Sequence, residues 1–221
     1  MDKAAVPLIS LAKAGLVVML LITSWYSARM GTGALFNMLA KQEIQAGSVG
    51  TSEGYRRASS YLHTALHNDS SNPGIQLNLA RIQLYDPRRK LPENQIAALA
   101  YYRRAVALQP QESLIWAEIF AIKSKLREFD EESDSAIANA IALGGWEPKI
   151  QYLIVDAGTA SWLLLTPKIR RMVIDMAARG LVNASGWRRS QIRHVLGERQ
   201  FHNLVCIELI NRGERSHLCP E

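Results

Sequence analysis

Between residues 4 and 28 the chain is almost wholly apolar, with Lys13 as its single charge, and the run Leu16, Val17, Val18, Met19, Leu20, Leu21, Ile22 closes on Trp25 and Tyr26. An apolar helix ending in an aromatic pair suits a bilayer and its interface, and at about 1.5 Å per residue it is long enough to cross. Lys13 sits one turn in and would snorkel to the near headgroups. A cleavable signal peptide is the alternative. The small-residue pairs that a signal peptidase needs are poor at Tyr26 with Ala28 and at Trp25 with Ser27, and the better pair, Thr32 with Ala34, lies beyond Arg29. The pattern therefore predicts an uncleaved signal anchor over residues 1–30. Flanking charge does not orient it, since Lys3 and Lys13 are matched by Arg29 and Lys41. A short tail ahead of a large domain favours export of the C-terminal part.

Residues 31–54, with Gly47, Gly50 and Gly54 among them, read as a linker. Beyond it, apolar residues recur at the helical period, punctuated by Pro and Gly, and no run alternates as a strand would. The body is expected to be all-α. Within it, Ala98, Tyr102 and Ala105 follow a four-then-three spacing and are succeeded by Pro110. This is the second-helix half of a tetratricopeptide (TPR) repeat: small residues let two helices approach, the aromatic fills the space between them, and proline ends the helix. Ser133, Ile137 and Ala140 repeat the spacing, with Gly144 and Gly145 in place of the proline. Ala58, Leu62 and Ala65 form a looser copy before Pro73. First helices are supplied by Leu77, Ala80 and Leu84, then by a helix opening at Ser113 and carrying Trp116 and Ile119, with a charged insertion at 86–92. Residues 55–147 are thus expected to be TPR-like hairpins.

After Pro148 the period breaks but helices continue. Thr166 and Pro167 are an N-cap and first-turn proline, Ile169, Met172, Val173 and Met176 share a face, and Gly180 is a stop signal. Phe201, Leu204, Val205 and Leu209 form a last stripe before Gly213. Residues 148–221 read as basic helices capping the stack.

With 221 residues, 48% apolar and 21% charged, the chain is neither disordered nor a coiled-coil rod, and a single apolar window excludes a polytopic membrane protein. Its formal charge of +6 is concentrated. Lys168, Arg170, Arg171, Arg179, Arg188, Arg189, Arg193 and Arg199 face only Asp175 and Glu198 in the same stretch, so the remainder is neutral on balance. Arg170, Arg171, Arg188, Arg189 and Arg193 make a candidate basic patch for an anionic lipid, an acidic glycan or an acidic protein surface. Few aromatics are interleaved, which argues against nucleic acid. The acids Glu128, Asp130, Glu131, Glu132 and Asp134 lie at a helix turn, where solvated charge is expected.

Other constellations are weaker. His63 and His67 are four apart but lack the glutamate of a zincin and a third ligand. Asp156, Ala157, Gly158 and Thr159 brush an aspartic-protease signature without its strands, and Gly158 better suits a helix end. Phosphate loops, nucleotide fingerprints and nucleophile elbows are missing, so a non-enzymatic protein without metal or cofactor is expected. Cys206 and Cys219 are separated by twelve residues that include Gly213; in an oxidising compartment they could pair, and two free thiols is the equal alternative.

An N-terminal anchor, TPR-like hairpins, then Trp146, Glu147, Pro148, Gln151, Trp162 and Leu165 before a basic helix and a late cysteine resemble the VpsP-like TPR proteins of bacterial exopolysaccharide clusters. The resemblance covers most of residues 50–210 and implies a Gram-negative envelope, an inner-membrane single pass with a periplasmic domain, and a part in polysaccharide biosynthesis. It implies no catalytic residues. The expectation is a scaffold for protein partners of a polysaccharide assembly complex, its groove lined by first helices, with Gln76, Arg81, Trp116, Glu118 and Lys123 as contact residues. The alternative is an anionic glycan or lipid-linked carrier held by the basic C-terminal helices.

Overall fold

The computed structural model describes residues 5–214 and Cys219, with the backbone alone for 5–12. Among these residues the chain is all-α, with ten α-helices, two short 3-10 turns and no strand. It divides into two compact units, Met1–Tyr85 and Asp86–Glu221. The division falls between the two helices that the spacing pairs as one repeat. Lys3, which entered the charge balance across the anchor, lies outside the described residues.

The first unit is built on α1 (Ala5–Gln45), α2 (Ser52–Asn68) and α3 (Pro73–Gln83). α1 is apolar and long enough to cross a membrane, and the side chains from Leu16 to Ile22 are exposed all round. It does not stop at residue 30. Most of the expected linker is helix, because Ala34 to Gln45 are good helix formers and one face of them docks on α2 and α3. Arg29 donates to the His67 carbonyl (2.7 Å), Gly33 packs against Ala65 and Asp69, and Phe36 lies 6.0 Å from Tyr61. The Asn78 amide donates to Asn37 Oδ1, and Glu43 binds Arg57. The helix ends where Gly47 takes φ 71°, and Thr51 caps α2.

The second unit runs α4 (Leu91–Leu108), α5 (Ser113–Leu126), α6 (Glu131–Gly144), α7 (Pro148–Ala160), α8 (Pro167–Asn183), α9 (Gly186–Glu198) and α10 (His202–Asn211). α5 packs on α4, α6 and α7; α7 packs on α8 and α9. Short connections make consecutive helices into hairpins, and α5, α7 and α9 form a row of neighbours. All three sets of the four-then-three spacing point inward: Ala58, Leu62, Ala65; Ala98, Tyr102, Ala105; and Ser133, Ile137, Ala140 are fully buried. α8 carries the same spacing in Ile169, Val173 and Met176, also buried. The period that breaks in sequence at Pro148 therefore continues in the packing, with β-branched and longer side chains where the earlier copies use alanine.

Two glycines act differently from their sequence reading. Gly158 lies inside α7 and Gly180 inside α8, so neither ends its helix. A Cβ at Gly158 would run into Val173 of α8, and one at Gly180 into Ile192 of α9. They are close-approach positions, where the missing side chain lets the hairpins pack.

Candidate functional site

The groove residues divide sharply. Lys123 is 1% exposed. Its Nζ donates to Asp130 and Glu132 (both 2.8 Å) and to Glu128 (3.3 Å). Arg103 of α4 grips both oxygens of Glu132 (2.7 Å each), and Asp130 caps α6 by accepting from the Ser133 amide. This network joins α4, α5 and α6. The hydrogen bond from Arg103 chiefly, with help from Lys123 and against burial, holds the Glu132 carboxyl at about 2. The same lysine and the Ser133 amide lower Asp130. Burial pulls the Lys123 ammonium down, but its carboxylate partners outweigh it and raise it above its ordinary value. Lys123 is thus an internal strut and not a contact residue, and three of the five turn acids bind it while staying partly exposed to solvent.

Gln76 is also buried, at 5% exposure; its amide donates to the Ser70 carbonyl and its Oε1 has no partner. It too leaves the contact set. Trp116 and Glu118 are half-buried: the indole N–H donates to the Pro110 carbonyl (2.7 Å), closing the turn before α5, and Glu118 accepts from the Tyr102 hydroxyl (3.3 Å). Arg81 is half-buried and engaged.

The basic stretch is largely committed to the fold. Arg170 donates to the Trp162 and Leu163 carbonyls and lies over the Trp162 ring (5.4 Å), while Arg189 donates to the Ala184 and Val182 carbonyls. Carbonyls at and just beyond helix ends lack partners within the helix, and these guanidiniums supply them. Arg188 stacks on Trp187 at 3.8 Å. Arg199 is bound by Asp156 and Thr159, and Arg212 by Asp175 and Glu208. Only Lys168, Arg171 and Arg193 stand exposed with no hydrogen bond or ion pair among the described residues. The candidate basic patch is therefore not one free surface.

Two concavities stand out in the second unit: a smaller one, of about 380 Å³, is lined by Lys168, Arg171, Met172 and Asp175, and the larger lies elsewhere. A cleft of about 720 Å³ opens where the C-termini of α5, α7 and α9 meet. Arg127 closes α5 in a left-handed conformation (φ 60°), and Gln200, beside the lining residues Arg199 and Phe201, has the same sign (φ 60°). Trp162 and Phe201 meet edge-on at 4.9 Å, and Leu163 and Leu164 stand on the rim. None of the residues lining it is acidic. Arg127 and Leu163 escaped the sequence reading, and only the non-periodic run Ser161–Trp162–Leu163–Leu164–Leu165 between two helices hinted at them.

Cys206 of α10 and Cys219 form a disulfide, with 5.5 Å between their Cα atoms. His63 and His67 are exposed on α2, and among the described residues no group of three His, Cys, Asp or Glu could hold a metal. No protein-family model matches the chain, and no curated protein matches it.

Proposed function

We propose that this protein is a membrane-anchored scaffold whose TPR-like helical hairpins hold protein partners of an exopolysaccharide assembly complex. The observation that carries the reading is the recurrence of one buried four-then-three spacing on α2, α4, α6 and α8, in a chain whose first helix is apolar and exposed from Lys13 to Ala28. Stacked hairpins expose extended, sequence-varied faces suited to protein contacts. The polysaccharide context rests on the resemblance to VpsP-like proteins. The Cys206–Cys219 bond supports an oxidising compartment, and so a single inner-membrane pass with a periplasmic domain.

The alternative, an anionic glycan or lipid carrier on the basic helices, is the weaker reading because Arg170, Arg188 and Arg189 are engaged within the fold. Removing the gene should abolish secreted polysaccharide while glycosyltransferase activity in isolated membranes persists. A photocrosslinker at position 118 should meanwhile give discrete protein adducts in native cells. Unchanged polysaccharide secretion would overturn the proposal.

A further inference from the structure

We infer that the cleft lined by Arg127, Trp162, Leu163, Arg199 and Phe201 is a binding site for an extended partner segment in which bulky apolar side chains alternate with carboxylates. This deepens the scaffold proposal and rests on it, but it places the contact at the C-terminal ends of α5, α7 and α9 and not on the first-helix faces.

Three observations carry it. First, charge: the lining contains two guanidiniums and no acid. The Arg199 head is fixed by Asp156 and Thr159, and the Asp156 carboxylate balances its charge, whereas the Arg127 side chain is exposed and has no hydrogen bond or ion pair among the described residues. The Arg127 guanidinium is thus the cation that awaits an anion, and guanidinium forks favour carboxylate. Second, apolar surface: Leu163 is 86% exposed and Leu164 50%, beside the Trp162–Phe201 pair. Trp and Arg around an apolar pocket are the residue types that dominate protein interfaces. Third, polar groups: the Thr159 hydroxyl is occupied by the Val155 carbonyl and Arg199, and the Ser161 hydroxyl by the Ser124 carbonyl. A sugar ring, rich in hydroxyls, would find few partners here, whereas a peptide of alternating apolar and acidic side chains would find both of its needs.

The test is selection of a displayed random peptide library on the full-length chain in detergent micelles, followed by titration of synthetic winners. Enriched peptides should combine Leu, Phe or Ile with Asp or Glu. Arg127→Glu and Leu163→Asp should each weaken them at least tenfold; both side chains are exposed, and retained helical circular dichroism checks the fold. Replacing the acids of a winner by amides should have the same effect. Winners that lack acids, or that bind both variants as well as the parent, overturn the cleft site. If those winners are instead weakened by a substitution at Glu118, the scaffold proposal stands and only the cleft falls. A library that yields no binder at all overturns both. Binding of a uronic-acid oligosaccharide or of anionic vesicles that competes with the winners would replace the peptide by a glycan or lipid, and would also overturn the inference.

Discussion

Lys123 shows how a single side chain can reverse its surface reading. It stands between Ile122 and Ser124 in a helix that also carries Lys125, and it is buried with three carboxylates around its ammonium. Lys123→Met removes their shared cation, and because the three carboxylates are a third to a half exposed and Glu132 keeps Arg103, the cost is about 1–2 kcal/mol. The substitution should therefore lower hydrogen-exchange protection across α5 and α6 by about tenfold, while protection in α8 changes far less. The pH dependence follows from Glu132. Its carboxyl sits at about 2 in the fold against an ordinary value of 4.5. A depressed carboxylate stabilises fully above its unfolded value and loses that stabilisation as pH falls through the folded one. Melting temperature should therefore drop between pH 4.5 and 2, and Glu132→Gln should flatten that drop. Because Glu132 is partly solvent-exposed, the effect should be about 1–2 kcal/mol. The acids themselves were plain in the sequence. Their target was not, because a lysine in a helix carries no mark of burial until a turn from another helix closes over it.

At the scale of elements, the spacing of small and bulky residues located the helices well, and the N-cap read at Thr166 is present as a side-chain bond, while Thr51, Asn72 and Asp130 make further caps that the sequence reading did not name. The errors came from glycine. The glycines at 47, 50 and 54 suggested a linker reaching back to residue 31, yet α1 runs to Gln45 through Gly33, since a glycine within a helix can serve a neighbouring helix instead of ending its own. Gly158 makes the point testable. Alanine there gains up to about 1 kcal/mol of helix propensity but overpacks the α7–α8 contact by about 1–3 kcal/mol. Gly158→Ala should thus destabilise, and with Val173→Ala added, which empties the space that the new methyl needs, the double variant should lose less than the sum of the two single losses. Additive losses, read from thermal melts, would show that the contact is not tight. The basic helices illustrate the same limit, because composition counts arginines without showing that Arg170 and Arg189 bind backbone carbonyls.

On the scale of the whole molecule, two covalent or near-covalent facts organise the chain: one long apolar helix at its start and one disulfide at its end. The loop closed by Cys206 and Cys219 spans thirteen positions, and a loop of that size stabilises by about 3 kcal/mol. Cys219→Ser should loosen α10 by about 2–3 kcal/mol, seen as faster hydrogen exchange there. In intact cells, an impermeant thiol reagent should label these cysteines only after reduction. Labelling only after lysis, with no need of reductant, would place the second unit in the cytoplasm. The fold class was legible because helical periodicity is local. The division at Tyr85 was not, because the 86–92 insertion gives no sign of whether a repeat continues across it.

The sequence by itself determined the apolar first helix, the all-α body, the buried faces of α2, α4 and α6, and the two cysteines able to pair. Each depends on residues within one or two turns of one another. Tertiary structure alone decided that Lys123 and Gln76 are interior, that the arginines are mostly spent on helix ends, and that the C-termini of three helices enclose a cleft. Those outcomes depend on which distant segments meet, and burial and electrostatic pairing between distant segments leave no trace in local spacing.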